Sequence, residues 1–229
     1  MSRIFLVLAA IAWLSLAANF FIGLWIGDFN SVAASYRAAN EEYKQAKFDP
    51  QSPADKKAAA EKNLKAAADS LDVPRYRMTL HFYVGVASSL LVVLVNSVTV
   101  TYFVGTSKWC REVGETYSLQ EELQARSTLI KRKTFPWAAG SMVAIVVLVF
   151  LGGLSDPSIP LNQAQPGRSA DMVQWHYLMA MLTLAFIAVS FFVQALRIAE
   201  NYRAIEAILA EVRKIRIEKG LPVSEEAAR

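Results

Sequence analysis

Four stretches of this chain, residues 4–27, 79–107, 135–155 and 172–196, contain no Asp, Glu, Lys or Arg. Each is 21 to 29 residues long, and a helix needs about 20 apolar residues to cross the hydrocarbon layer. In lipid every backbone amide must find its partner within the chain, so runs of this length are expected to coil rather than pair as strands. The expected fold class is therefore all-α: an integral membrane four-helix bundle of up-down topology, with helical extensions on both membrane faces, forming a single domain over 1–229. The first run, with Arg3 ahead of it, has the outline of a signal peptide. Its apolar character continues through Trp25 and Ile26, however, beyond the roughly 7–15 residues of a signal core, and it is read as an uncleaved helix.

Charge is segregated to the segments between the spans. With the N-terminus, residues 108–134 and the segment from Arg197 on one side, that side carries 14 of the 24 Lys and Arg. Nine of the ten on the other side are interleaved with eight acids in the first loop. The positive-inside bias places both termini in the cytoplasm. The net charge of +4 suits anionic lipid headgroups, so the expected partners are the lipid bilayer, other membrane-complex subunits or a second copy, and no nucleic acid. The single cysteine, Cys110, then faces a reducing compartment as a free thiol.

The connecting segments carry helical periodicity of their own. Residues 30–73 read as an outer hairpin: Val32, Tyr36, Ala39 and Tyr43 share one face, Asp49-Pro50-Gln51-Ser52 breaks the helix, and Ser52 with Pro53 opens a second. Pro74 is expected to end that second helix. On the inner side, residues 108–134 form another hairpin, with Ser118-Leu119-Gln120-Glu121 in the pattern of a capping box. Residues 197–220 form a cytoplasmic helical tail, so that the last helix runs about 70 Å. Ile198, Tyr202, Ile205, Leu209 and Val212 step by four and three along it, as in a coiled-coil seam. These five are the candidate partner-binding residues, with the chain's own inner hairpin preferred over another subunit as their cover.

Several chemistries lack their signatures. There is no phosphate-cradling Gly-rich loop, His-Glu-x-x-His, cysteine pair or nucleophile elbow, and no span holds an Asp, Glu, Lys or Arg of the kind that pumps and many transporters use as relays. No catalytic residue is assigned. What remains is His81 and His176, the only histidines. Each lies near the outer end of its span, on the second and fourth helices, which face each other diagonally in an up-down bundle. Two imidazoles so placed can ligate the iron of haem b, with Gly85, one turn from His81, leaving room for the macrocycle. Gly23, Gly27, Gly152 and Gly153 sit at the same level, and Arg75, Arg77 or Arg168 could meet the propionates. Both histidines also sit among aromatics, Phe82 and Tyr83 or Trp175 and Tyr177, as ordinary interfacial residues do; on sequence alone that reading comes first, haem second, and a quinone or chlorophyll third.

The leading functional expectation is a non-catalytic membrane subunit or scaffold that docks partners through its helical extensions. The alternative is a b-type cytochrome subunit, with His81 and His176 as axial haem ligands, passing electrons between a quinone and an outer-side carrier. A small transporter or membrane enzyme is the second alternative. It requires Asn19, Asn96 and Gln194 to converge on a pocket, where single polar residues in spans more often bridge helices.

Overall fold

The computed structural model describes residues 2–222, so Met1 and residues 223–229 of the expected 1–229 domain lie outside the described residues. The chain is all-helical, with no strand among the described residues: α1 (Ser2–Trp25), α2 (Phe29–Phe48), α3 (Ala54–Thr116), α4 (Glu121–Ser155), the one-turn α5 (Pro160–Gln163) and α6 (Pro166–Glu218). Four of these, α1, α3, α4 and α6, are long and apolar enough to cross a membrane. Each contains one of the four charge-free runs, apart from the last two residues of the first. At 53 residues, α6 measures about 80 Å.

Helix ends follow local chemistry. Gly27 adopts φ +79°, a conformation only glycine takes without strain, and the next residue, Asp28, caps α2 by accepting from the Ser31 amide at 3.0 Å. At the hairpin turn the Asp49 carboxylate accepts from the Gln51 amide at 2.9 Å. The Ser52 hydroxyl has no hydrogen-bond partner, so Ser52 does not cap α3 as its sequence suggests. Nor does Pro74 stop it: α3 continues through Pro74 to Thr116, because one lost backbone bond does not outweigh the helical turns on either side. The capping-box reading of Ser118 is also corrected. Ser118 has φ +53° and belongs to the closure of α3, where the Leu119 amide donates to the Gly114 carbonyl at 2.9 Å. At the far end of α6, Gly220 at φ +64° and the Leu221 amide bond to Arg216 at 2.8 Å form a glycine C-cap.

The chain packs as two compact units. The first comprises Met1–Ala12, Leu91–Val143 and Ala185–Arg229. Its core includes Phe5, Val92, Val95, Phe103, Ile187 and Phe191, with Phe5 edge-on to Phe191. It also buries a polar column. Gln194 donates to Asn96 at 2.9 Å and to Ser190 at 2.9 Å, and the Ser190 hydroxyl donates to the Trp137 carbonyl at 3.0 Å. Asn201 accepts from Ser127 at 2.7 Å and donates to Tyr102 and Thr106. These side chains bridge α3, α4 and α6.

In this unit α6 also lies against the inner hairpin. Cys110, Leu119 and Ile208 are buried together, with Trp109, Val113, Tyr117, Leu123, Ile205, Val212 and Ile215 packed on them. The inward register therefore runs Ile198, Asn201, Ile205, Ile208, Val212, Ile215. Of the five residues expected to form the seam, Ile198 is buried and Ile205 and Val212 pack on that cluster, whereas Tyr202 and Leu209 are 57% and 45% exposed. Polar Asn201 takes an inward position because its amide is hydrogen-bonded on both sides.

The second unit comprises Trp13–Leu90 and Ala144–Leu184. The outer hairpin of α2 and the first part of α3 closes over buried Ala33, Ala46 and Ala60, small side chains that let helices approach closely. Arg37 ties α2 to the α4–α5 connection by donating to the Pro157 carbonyl at 3.1 Å, and Trp13 on α1 donates to the Leu184 carbonyl of α6 at 3.1 Å.

Candidate functional site

Both histidines belong to the second unit, and the fold brings them together. Their ring centroids are 6.2 Å apart with the planes at 85°. His81 comes from α3 and His176 from α6, and each ring rests on a glycine of a different helix. A Cβ added at Gly23 on α1 would stand 2.9 Å from Cε1, 3.3 Å from Nδ1 and 3.7 Å from Nε2 of His81. A Cβ at Gly152 on α4 would stand 3.1, 3.4 and 3.8 Å from the same three atoms of His176. The two seats thus match atom for atom to within 0.2 Å.

The correspondence extends to the backbone. His81 Nδ1 lies 3.1 Å from the carbonyl oxygen of Asn19, one helical turn before Gly23. A carbonyl can only accept, so Nδ1 carries the proton and Nε2 of the neutral ring keeps its lone pair. The corresponding backbone group for His176 is that of Leu148, one turn before Gly152, and His176 Nδ1, which is buried, stays outside hydrogen-bonding geometry with it. Two turns further along each histidine-bearing helix stands a small hydroxylic residue, Ser88 on α3 and Thr183 on α6, both buried. The Ser88 hydroxyl donates to the Val84 carbonyl at 2.7 Å, while the Thr183 hydroxyl is without a partner.

The remaining expected residues fall in different places. Gly85 does not face the ring pair through its own Cα; a Cβ there would meet Asn19 Nδ2 at 2.9 Å, so Gly85 accommodates the side chain whose backbone carbonyl holds His81. Gly27 terminates α1, and Gly153 has nothing within 4 Å of its Cβ direction. Arg77 stacks on the Trp25 ring at 4.2 Å and donates to the Trp25 carbonyl at 3.0 Å, two residues beyond Gly23. Arg168 reaches Gln165 at 3.4 Å. Phe82, Tyr83 and Trp175 are exposed, as belt aromatics are, and Tyr177 stacks on Phe20 at 5.6 Å. Asn96 and Gln194 bond each other in the first unit and Asn19 belongs to the second, so the three do not gather on one pocket within either unit. The Asn19 and Leu148 carbonyls were not identifiable from side-chain identity; their signal was the glycine one turn downstream of each.

Among the described residues no group of three or more His, Cys, Asp or Glu is placed to hold a metal ion. Two imidazoles alone do not complete the coordination of zinc, which takes three or four protein ligands. They do suit a metal that arrives with its own equatorial donors, as haem iron does. No family model, curated protein or solved structure matches the chain.

Proposed function

We propose that this protein is a b-type cytochrome subunit: an integral membrane, up-down four-helix bundle with both termini cytoplasmic that holds one haem between His81 and His176 and passes single electrons. The observation that carries the reading is the pair of matched seats, each a histidine ring set against a glycine of another helix, facing each other at 6.2 Å. Ligating histidines characteristically donate their other N–H to a carbonyl or carboxylate, which sets tautomer and orientation; His81 already does so.

When bound, haem supplies a one-electron couple. The chain's own contribution is to fix two imidazole planes at right angles, keep the Nε2 lone pair of His81 available, and surround the rings with a span rich in apolar side chains, which disfavours extra charge on the metal. The test is an absorption spectrum of the detergent-purified full chain supplied with haem. A Soret band with the sharp visible bands of six-coordinate iron is expected, and it should vanish in the double variant His81→Ala, His176→Ala. A chain that stays colourless overturns the proposal.

The exposed pair Tyr202 and Leu209 favours a second role compatible with the first, docking of a partner subunit on α6. The cover of the inward register by the chain's own hairpin leaves these two as the part of the expected stripe open to another protein. Tyr202→Ser with Leu209→Ser should abolish co-purification of such a subunit while leaving the chain's melting temperature unchanged.

A further inference from the structure

Away from the histidines, the second unit holds a cavity of about 280 Å³ whose lining includes Asp28, Asn30, Ala34 and Arg37 of α2 and its cap, Pro157 after α4, and Ala170 near the start of α6. Its three walls all lie where charge-free runs end. Asp28 follows the run 4–27, Pro157 comes two residues after the run 135–155, and Ala170 stands two before the run 172–196. In a membrane, the level at which several spans give way to polar sequence together is that of the lipid headgroups.

Charge decides what such a cavity suits. Asp28 accepts from the Ser31 amide through Oδ1 at 3.0 Å, and Arg37 is steadied by one bond from Nη1 to the Pro157 carbonyl at 3.1 Å. Among the described residues neither enters an ion pair. They stand nine residues apart, about 13 Å of helix rise, with the small Ala34 between them. A free anion drawn to Arg37 is repelled by Asp28, and a free cation meets the reverse; a guest carrying both charges a few bonds apart is attracted at both ends. Asn30 adds a buried Nδ2 without an acceptor, a costly condition that an oxygen-rich guest relieves.

We propose that this cavity binds the phosphoethanolamine head of a membrane lipid, with phosphate towards Arg37 and ammonium towards Asp28. The inference rests on the membrane reading above and is independent of haem. A guanidinium fork matches phosphate oxygens, and a primary ammonium brings three N–H donors to the carboxylate. A trimethylammonium head brings none, and a phosphoglycerol head has no cation for Asp28. The seated headgroup joins α2, the α4–α5 connection and α6.

Native mass spectrometry of the detergent-purified full chain, titrated with phosphatidylethanolamine, phosphatidylcholine or phosphatidylglycerol, reads the binding directly. One phosphatidylethanolamine per chain is expected, with the other two held at least about tenfold more weakly, as befits one lost hydrogen bond between charged groups. Asp28→Asn separates charge from fold, since asparagine caps a helix as well as aspartate does. It should weaken phosphatidylethanolamine about tenfold and raise phosphatidylglycerol to match it. Arg37→Gln should weaken every lipid, and Arg37→Lys, which keeps the charge, should recover part of the loss; thermal melts without lipid confirm that the variants fold. Equal retention of the three lipids by the wild type, or an unchanged preference in Asp28→Asn, overturns the proposal. Glycerophosphoethanolamine, the head without its chains, should bind at least about tenfold more weakly, because the acyl chains add their own burial; equal affinity assigns the cavity to a water-soluble zwitterion and overturns the lipid source. A chain that stays soluble without detergent overturns the membrane reading and this inference with it, whereas absence of a Soret band overturns the haem reading alone.

Discussion

The smallest features with the largest consequences are two hydrogen atoms, those that take the place of a side chain at Gly23 and Gly152. A methyl group at Gly23 would meet His81 Cε1 at 2.9 Å and one at Gly152 would meet His176 Cε1 at 3.1 Å, so either ring must move. The adjacent Gly153 provides the internal comparison, because a Cβ there meets nothing within 4 Å. Gly152→Ala is expected to reduce the Soret absorbance per protein, while Gly153→Ala preserves it and raises helix stability by about 1 kcal/mol; parallel spectra and thermal melts decide this. Cys110 is a second residue whose behaviour is set by its surroundings. Burial pushes its thiol above the ordinary value of 9.0, with a hydrogen bond to the Ser127 side chain acting the other way. The unfolded chain releases that proton first as pH rises, so the contribution of Cys110 to stability is intact below the usual thiol range and declines from there towards the raised folded value. Thermal melts of wild type and Cys110→Ser between pH 7 and 10 should therefore diverge in slope, with the wild type falling faster.

At the scale of the element, α6 illustrates how periodicity can be right and register wrong. Steps of three and four recur from Ile198 whichever of two neighbouring stripes is followed, Ile198-Tyr202-Ile205-Leu209-Val212 or Ile198-Asn201-Ile205-Ile208-Val212. Hydrophobicity favours the first and the fold adopts the second. Asn201 is fully buried since Ser127, Tyr102 and Thr106 satisfy its amide, and no hydropathy scale registers a partner supplied by another helix. Ile208→Ala is expected to destabilise the protein by about 2–5 kcal/mol, as buried aliphatic truncations do. Leu209→Ala, one residue away and half exposed, should change stability by less than about 0.5 kcal/mol. Equal effects in chemical denaturation would contradict the register described here. The failure of Pro74 to end α3 has the same origin. A local stop signal loses to the turns that flank it and to the packing of the outer hairpin over Ala33, Ala46 and Ala60.

For the whole molecule, the arrangement to be tested is the one that places both ends of the chain on the cytoplasmic face. On the proposed reading four crossings return the chain to the side from which it started, and the excess of Lys and Arg makes that side the inner one. Single cysteines introduced in a Cys110→Ser background, one ahead of α1 and one after Gly220, should both resist a membrane-impermeant maleimide in intact cells, and a cysteine placed in the α2–α3 turn should react. Labelling of the two ends from opposite faces would dismantle the topology and, with it, the placement of His81 and His176 at a common depth.

The amino-acid order by itself determined the four long apolar helices and singled out the two histidines, because a helix of that length depends only on a local run of apolar side chains and these histidines are the only two in the chain. It also indicated that the pair belonged at one level. What required the tertiary structure was everything that depends on a neighbour: that Gly23 and Gly152 rather than Gly85 support the rings, that the Asn19 carbonyl and not a side chain holds His81, and that Asn201 faces inward. Backbone carbonyls carry no residue identity, and a glycine's role is set by whatever approaches it, so neither can be read until helices far apart in sequence are brought into contact.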